Sequence, residues 1–154
     1  YEIVPGVASF SAAAAALGHE LTVPTVGQSV ILTRVSGRAS AMPEGETLEN
    51  FGRTGATLCI HLAAHDIDRV VGELTPNYGA DCPVAVVAFA SRPEEVSLRG
   101  TLADVAGRVK DAGVTRTAVI VVGRVLGAEG FPDSYLYSDG RPRDDEGRTL
   151  TCVH

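Results

Sequence analysis

Residues 57–91 read TLCIHLAAHDIDRVVGELTPNYGADCPVAVVAFAS, and the prediction of the fold depends on the pattern within them. Two apolar runs, Thr57–Leu62 and Pro83–Phe89, are typical of strands buried on both faces of a sheet. Between them, from about Asp66 to Leu74, apolar residues recur at the spacing of an amphipathic helix. The pattern therefore predicts a strand, a crossover helix and a second strand, that is, a βαβ unit.

The ends of these two strands indicate where a ligand would bind. A right-handed crossover places both carboxyl ends at one edge of the sheet, and ligands of open α/β sheets bind outside that edge. The two ends carry His61-Leu62 and Ala90-Ser91. We therefore expect any small-molecule site to lie there.

Composition excludes several functional classes. The 154 residues suit one domain, with 45% apolar and 21% charged residues as in an ordinary soluble protein. A formal charge of -6 argues against nucleic acid as a partner. No apolar run approaches the roughly 18 residues of a membrane span, and no signal peptide is visible. These features predict a cytoplasmic protein that binds neither nucleic acid nor membrane.

The cysteines and histidines give no sign of a metal or of a nucleophile. Cys59, Cys82 and Cys152 match no metal-binding spacing, and the first two are predicted to be small core residues in a reducing compartment. His61 and His65 straddle a strand-to-helix junction, which makes them a poor metal pair. Neither belongs to a recognisable catalytic triad. The sequence thus predicts no metal and leaves the catalytic residues unknown.

The remaining elements predict a mixed α/β sheet flanked by helices, with one antiparallel hairpin over residues 83–100. The domain is predicted to cover residues 1–126, with a polar, poorly ordered tail over 127–154. Because Tyr1 opens the chain inside a predicted strand, we expect a piece of a longer protein. The other predicted strands are Glu2–Val4, Ser29–Thr33, Glu95–Gly100 and Ala118–Val122. The other predicted helices are Ala12–Leu17, Leu48–Phe51 and Leu102–Ala112. Ser9 or Ser11 is predicted to cap the first of these helices and Gly18 to end it, and Thr101 is predicted to cap the last.

Two features admit a structural and a functional interpretation. The helix around Ala12–Ala16 is either a closely packed structural helix or one whose N-terminus lines a ligand cleft. Arg34 and Arg38 are either two solvated arginines or clamps for carboxylates at a cleft mouth, since a guanidinium matches a carboxylate through two parallel hydrogen bonds. Both alternatives stay open at this point.

The order of the motifs resembles the tetrapyrrole methylases, the two-domain S-adenosylmethionine-dependent enzymes of cobalamin and sirohaem synthesis. The resemblance extends from Glu2 to Leu126 and matches the C-terminal domain of that family. The motifs that carry it are Val4-Pro5-Gly6-Val7-Ala8-Ser9 with Ala12–Ala16, Thr57–Leu62, Pro83–Val87 with Ala90-Ser91, Arg99-Gly100-Thr101-Leu102, and Ala118–Gly123.

The resemblance implies methyl transfer from S-adenosylmethionine to a tetrapyrrole, in a cleft between two domains and usually in a homodimer. Residues 31–34, 37–43 and 60–62 are most similar to the subgroup that methylates carbon 11 of precorrin-4. Two alternatives remain: a non-catalytic ligand-binding module that keeps the fold, and a methylase of another ring position. Because the family's N-terminal domain is absent, we expect the chain alone to be inactive.

The resemblance also implies the site residues, with some departures from the family pattern. Leu62 takes a position usually held by Met, Ala90 one usually held by Gly, and Thr117-Ala118 replaces Pro-Ala. Together with His61, the residues Leu62, Ala90 and Ala118 are expected to bind the cofactor. Arg34 and Arg38 are expected to bind the carboxylates of the substrate.

Overall fold

The computed structural model describes residues 1–37 and 41–130 of the chain. Within them, five strands and four α-helices follow one another, with short 3₁₀ turns at Ala64–Asp66 and Arg124–Gly127. The elements are α1 (Ser9–Leu17), β1 (Val30–Arg34), α2 (Leu48–Gly52), β2 (Thr57–His61), α3 (Ile67–Tyr78), β3 (Pro83–Ala88), β4 (Val96–Thr101), α4 (Val105–Asp111) and β5 (Ala118–Val122).

The strands form one mixed sheet in the order β1-β2-β5-β3-β4. β1 and β2 are parallel, whereas β5 runs antiparallel to both β2 and β3. β3 and β4 form the predicted antiparallel hairpin. The predicted mixed α/β class is therefore confirmed, and β2 and β3 run in the same direction as expected.

The unexpected feature of the topology is that β5 lies between β2 and β3. Its residues from Val119 to Val122 are at most 4% exposed, so both faces of this strand are covered by other parts of the protein. A fully apolar strand is most stable at the centre of a sheet, because both of its faces are then removed from water. The last strand in sequence thus completes the middle of the sheet.

Helices cover the two faces of the sheet unequally. α2, α3 and α4 pack on one face over a large core that includes Leu58, Ile60, Leu74 and Ile120. On the other face α1 contributes Ala13 and Leu17, which pack with strand residues around Cys59, Ala85, Val87 and Val121. Because α1 is rich in alanine, it approaches the strands closely and covers only part of that face.

Both described cysteines are buried core residues, as predicted. Cys59 and Cys82 are 0% exposed and form no disulfide. Burial raises the pKa of Cys59 to about 11, which keeps its thiol protonated and unreactive.

Helix α3 is one turn longer than its sequence predicts. The end expected at about Leu74 was wrong, because the helix continues through Pro76 to Tyr78 and ends before Gly79, whose φ is 84°. Leu74 and Tyr78 are buried at 0% and 6% exposure, and the Tyr78 hydroxyl donates a hydrogen bond to the Ala56 carbonyl. This tertiary packing outweighs the local cost of the proline.

The N-terminal predictions were partly wrong. Residues 1–8 form no strand and are exposed, since they pair with no other described strand. α1 begins at Ser9 without a side-chain cap, but it ends at Gly18 as predicted. There Gly18 adopts a φ of 58°, and the amide groups of Gly18 and His19 donate to Ala15 and Ala14, closing the helix in a Schellman motif.

Helix α4 starts later than predicted. Thr101 belongs to β4 rather than capping a helix, and the helix begins at Val105. The Asp104 carboxylate accepts a hydrogen bond of 2.7 Å from the Thr101 amide and thereby turns the chain. Most of the predicted tail, residues 131–154, lies outside the described part of the chain, so its order stays a prediction. Across residues 1–37 and 41–130, no helix is long and apolar enough to cross a membrane.

Candidate active site at the carboxyl rim of the sheet

A cavity of about 530 Å³ opens where β2 and β3 end and β5 begins, an edge that we call the carboxyl rim. Ligand pockets typically occupy roughly 300–1,000 Å³, so this rim cavity has room for a cofactor-sized molecule. It is lined by Val7, Ser9, Ala12, His61, Leu62, Val87, Phe89, Ala90, Ser91, Arg92, Thr117, Ala118 and Val119.

The four predicted cofactor-binding residues all line this cavity. His61 and Leu62 come from the end of β2, Ala90 follows β3, and Ala118 begins β5. The site is assembled because β5 is inserted between β2 and β3, which brings three strand ends to one edge. The structure therefore places these residues together, although their role toward a cofactor stays a prediction.

The backbone of the rim is unusual. Leu62, Phe89, Ser91 and Thr117 have φ values of 56°, 52°, 65° and 53°, in the left-handed region that favours glycine. Such a backbone costs about 1–3 kcal/mol per residue and clusters at functional sites, where the surrounding structure enforces it. The Phe89 amide donates a 2.8 Å hydrogen bond to the Thr117 carbonyl and ties two of these turns together. The edge is thus held in one shape before any ligand arrives.

The N-terminal end of helix α1 forms one wall of the cavity through Ser9 and Ala12, and Val7, just before the helix, extends that wall. This observation favours the functional interpretation of the alanine-rich helix. Ser9 Oγ lies 3.4 Å from His61 Nδ1, and burial lowers the pKa of His61 below its usual value of 6.5. The Ser9–His61 contact was missed from sequence, because the residues are 52 positions apart and no motif joins them.

Few charged groups face the rim cavity. Apart from His61, its ionisable lining residue is Arg92, whose guanidinium lies 5.8 Å from the Phe89 ring centre and 3.0 Å from the Glu94 carboxylate. The other lining side chains are mostly small or apolar. Such a surface suits the flat adenosine group and the short chain of S-adenosylmethionine, with backbone groups to orient them, so the residues fit the cofactor that the resemblance implies.

A second cavity, of about 380 Å³, adjoins the rim cavity on the side of β1. We call it the Arg34 cavity; it is lined by Leu32, Thr33, Arg34, Met42, Pro43, Glu46 and His61. The Arg34 guanidinium lies near the carbonyls of Val35 and Ala41, at 3.5 and 3.4 Å, and is therefore not a purely solvated group. Arg38, its predicted companion, lies outside the described residues.

Nothing in the described ranges resembles a metal centre. Among residues 1–37 and 41–130, no three His, Cys, Asp or Glu side chains are grouped so that they could hold a metal ion. The two cavities are lined by apolar side chains, the His61 imidazole, the guanidinium groups of Arg34 and Arg92, and the Glu46 carboxylate.

The comparison with known families decides what kind of protein this is. The model of the tetrapyrrole (corrin/porphyrin) methylases matches residues 1–106, more than half of the chain. The chain is a tetrapyrrole methylase family member. The sequence resemblance is thereby confirmed.

Several members of the tetrapyrrole methylase family are similar to this chain over most of its length. Precorrin-4 C(11)-methyltransferase of Rhodococcus erythropolis is 66% identical over 93% of this chain and 57% of its own length. The protein of that name from Mycobacterium tuberculosis is 61% identical over 92% of this chain and 57% of its length. A solved cobalt precorrin-4 methyltransferase is 38% identical, with a TM-score of 0.77 over 81% of this chain and 52% of that one. The chain thus spans little more than half the length of the relatives it matches.

The departures of this tetrapyrrole methylase from its family pattern have a consistent place in the structure. Leu62 is 72% exposed beside the cavity, and Ala90 is half-buried at its wall. Thr117 adopts the left-handed backbone that precedes β5. All three positions line the rim cavity.

Proposed function

We propose that this chain is the part of a precorrin-4 C(11)-methyltransferase that holds S-adenosylmethionine and one side of the tetrapyrrole. The observation that carries the proposal is the assembly of His61, Leu62, Ala90 and Ala118 around one cavity at the carboxyl rim. The names of the relatives at 66% and 61% identity support the choice of substrate. The metal-free substrate is preferred to the cobalt form because the solved cobalt precorrin-4 enzyme is less similar, at 38%.

When bound, S-adenosylmethionine supplies an electrophilic methyl group on a sulfonium. The chain's contribution is to position it: Leu62, Ala90 and Ala118 offer apolar walls to the adenosine, and the left-handed turns at Phe89 and Thr117 fix those walls. Methyl transfer between two aligned reactants gains most of its rate from such positioning. This requirement explains why the described site carries an apolar cleft rather than a triad.

The substrate is proposed to enter the Arg34 cavity beside the donor. A tetrapyrrole intermediate of this pathway bears several carboxylates, and Arg34 can bind one of them through a charge-assisted hydrogen bond. Arg38 is proposed to bind another. Assembly as a homodimer in the cytoplasm, with a second domain closing the cleft, is proposed from the family alone.

A second candidate is a ligand-binding module without turnover. It is favoured by one observation: among the residues that line the rim cavity, only His61 and Arg92 are ionisable. Such a module would bind the donor at the carboxyl rim without transferring its methyl group.

The test is a methyl-transfer assay on the protein as its gene encodes it, using S-adenosylmethionine labelled with ¹³C in the methyl group. Precorrin-4, cobalt-precorrin-4 and earlier precorrins serve as acceptors, and NMR of the product locates the new methyl group. We expect one label per tetrapyrrole, at carbon 11 of precorrin-4. Donor binding by calorimetry without any transfer would decide for the module, whereas label at another carbon would correct the ring position.

A further inference from the structure

His61 borders both cavities of the carboxyl rim. It lines the rim cavity with Ala90 and Ala118, and it lines the Arg34 cavity with Arg34 and Met42. Among the residues that the structure describes, it alone is common to the two. Arg34 and His61 are also direct partners in the register of β1 and β2. A ligand in one cavity and a ligand in the other would therefore meet at this imidazole.

The imidazole is oriented by helix α1. Ser9, the first residue of that helix, places Oγ 3.4 Å from His61 Nδ1. When Nδ1 donates its hydrogen to Ser9 Oγ, the lone pair of the neutral ring lies on Nε2. Within the described ranges, no other hydrogen-bond partner of His61 is present, so Nε2 is available to a ligand.

The chemistry of the proposed reaction calls for a proton acceptor at this junction, and the inference rests on that proposed function. An electron pair of a ring carbon–carbon double bond forms the new bond to the methyl carbon. The carbon–sulfur bond breaks, and its electrons neutralise the sulfonium to a thioether. The positive charge passes to the macrocycle, where a conjugated ring nitrogen carries it. Loss of that nitrogen's N–H proton restores a neutral product.

We propose that His61 is a catalytic residue whose Nε2 accepts this N–H proton as the methyl group arrives from the rim cavity. One side of the tetrapyrrole then lies in the Arg34 cavity, with a ring nitrogen toward His61. The imidazolium formed in this step passes its proton to solvent, since His61 is only partly buried. Ser9 is a positioning residue that keeps Nε2 turned toward the substrate.

The charged surroundings are compatible with a neutral imidazole. The other charged side chains that line the two cavities are Arg34, Glu46 and Arg92, while α1, β3 and β5 present Ala12, Val87 and Val119. Burial lowers the pKa of His61, so the ring is neutral and able to accept a proton at pH 7. In the wild type, kcat should therefore fall only as the pH drops through this lowered pKa.

The test compares His61→Gln with a matched His19→Gln control in the full-length protein. His19 lies at the other end of α1, where its Nδ1 is 2.9 Å from the Glu20 carbonyl. His61→Gln should lower kcat for precorrin-4 methylation at least about 100-fold, the lower bound for general acid–base catalysis. It should abolish the acid limb of the pH profile, and the fold-loss in kcat should exceed any rise in the donor dissociation constant, whereas His19→Gln should change nothing. Added imidazole should restore part of the activity of His61→Ala.

Two failures are distinguishable. In the first, the wild type methylates precorrin-4, but His61→Gln keeps the wild-type kcat or the acid limb of the pH profile. This result overturns the inference and leaves the proposed function standing. A loss that is confined to donor affinity overturns it as well, because His61 would then be only a wall of the rim cavity. Absence of methyl transfer by the wild type refutes the proposed function, and the inference falls with it.

Discussion

The two edges of the sheet make tight turns with different residues. At the carboxyl rim, left-handed backbone is adopted by Leu62, Phe89, Ser91 and Thr117. At the opposite edge, the amino rim where β2 and β3 begin, two left-handed positions are Gly55 and Gly79, with φ values of 67° and 84°, and a third is Thr25, with a φ of 66° in the turn before β1. Glycine takes this conformation without steric cost, whereas other residues do not.

The two edges also differ in what their side chains do. The amino rim is fixed by the Arg124–Asp81 ion pair, at 2.6 Å, and by a hydrogen bond of 2.8 Å from Arg124 to the Tyr78 carbonyl. The carboxyl rim keeps strained residues whose side chains surround a cavity. Glycine at these positions would remove the backbone strain, but it would also remove side chains that line the cavity. Backbone strain that persists around a cavity is expected of a binding site.

Replacement of Ala90 by Leu should have the largest effect. The longer side chain would occupy the cavity, so donor binding in the full-length protein should be lost while the melting temperature stays near that of the wild type. Ala88→Leu is the matched control, because Ala88 is two residues earlier in β3 and 0% exposed. That change should instead overpack the core and cost about 1–3 kcal/mol of stability. Calorimetry and thermal unfolding that gave Ala90→Leu normal affinity and a lowered melting temperature would assign Ala90 to the core.

Removal of the Arg34 guanidinium should have the next largest effect. Arg34→Ala should weaken tetrapyrrole binding by on the order of 1.5–3 kcal/mol, roughly 10- to 150-fold, with little change in donor affinity. Lys should restore only part of it, since it lacks the planar fork. Arg53→Ala is the control, because Arg53 forms an exposed pair with Glu49 away from both cavities. Equal substrate affinities for wild type and Arg34→Ala at low salt would show that Arg34 hydrogen-bonds only to protein groups and does not bind the substrate.

Placing a non-glycine residue at the amino rim and a glycine at the carboxyl rim should change the free energy of unfolding in opposite directions. Gly79→Ala should cost about 1–3 kcal/mol, because alanine is strained at its positive φ and its Cβ would lie 2.8 Å from Asp81 Oδ1. Leu62→Gly should raise stability by up to about 1 kcal/mol, since the side chain is 72% exposed and the strain disappears. Donor affinity should fall only in the second variant. Urea unfolding that showed Leu62→Gly to be destabilised would mean that the side chain supports the fold.

Lowering the pH should reduce the free energy of unfolding slightly through the Arg124–Asp81 pair at the amino rim. The hydrogen bond from Arg124 holds the pKa of Asp81 below its usual value of 3.8. A lowered folded-state pKa stabilises the protein above the unfolded-state pKa, and this contribution is lost as the pH falls below about 3.8 through the folded value. Both side chains are largely exposed, so the effect should be small. Asp81→Asn should flatten this part of the pH–stability curve, and an unchanged curve would show that the pair contributes nothing.

Much of the fold could be predicted because it depends on local pattern. The apolar runs of β2, β3 and β5 and the period of α3 predict those elements, and Gly18 predicts the end of α1. The errors lie where distant contacts override local preference: Tyr78 holds α3 together past Pro76, and Asp104 turns the chain before α4 begins. The predicted strand at Glu2–Val4 failed because strand formation requires a partner, and none of the described strands pairs with it.

The sequence by itself determined the class of the fold and the family, and it predicted the edge of the sheet at which the rim cavity opens. Those conclusions follow from hydrophobic period and from motifs within a few residues, which local physical chemistry controls. Only the tertiary structure decided that β5 lies between β2 and β3, that Ser9 meets His61, and that His61 joins two cavities. These contacts connect residues far apart in the chain, and they exist because burying the apolar strand β5 at the centre of the sheet brings three strand ends and the start of α1 together.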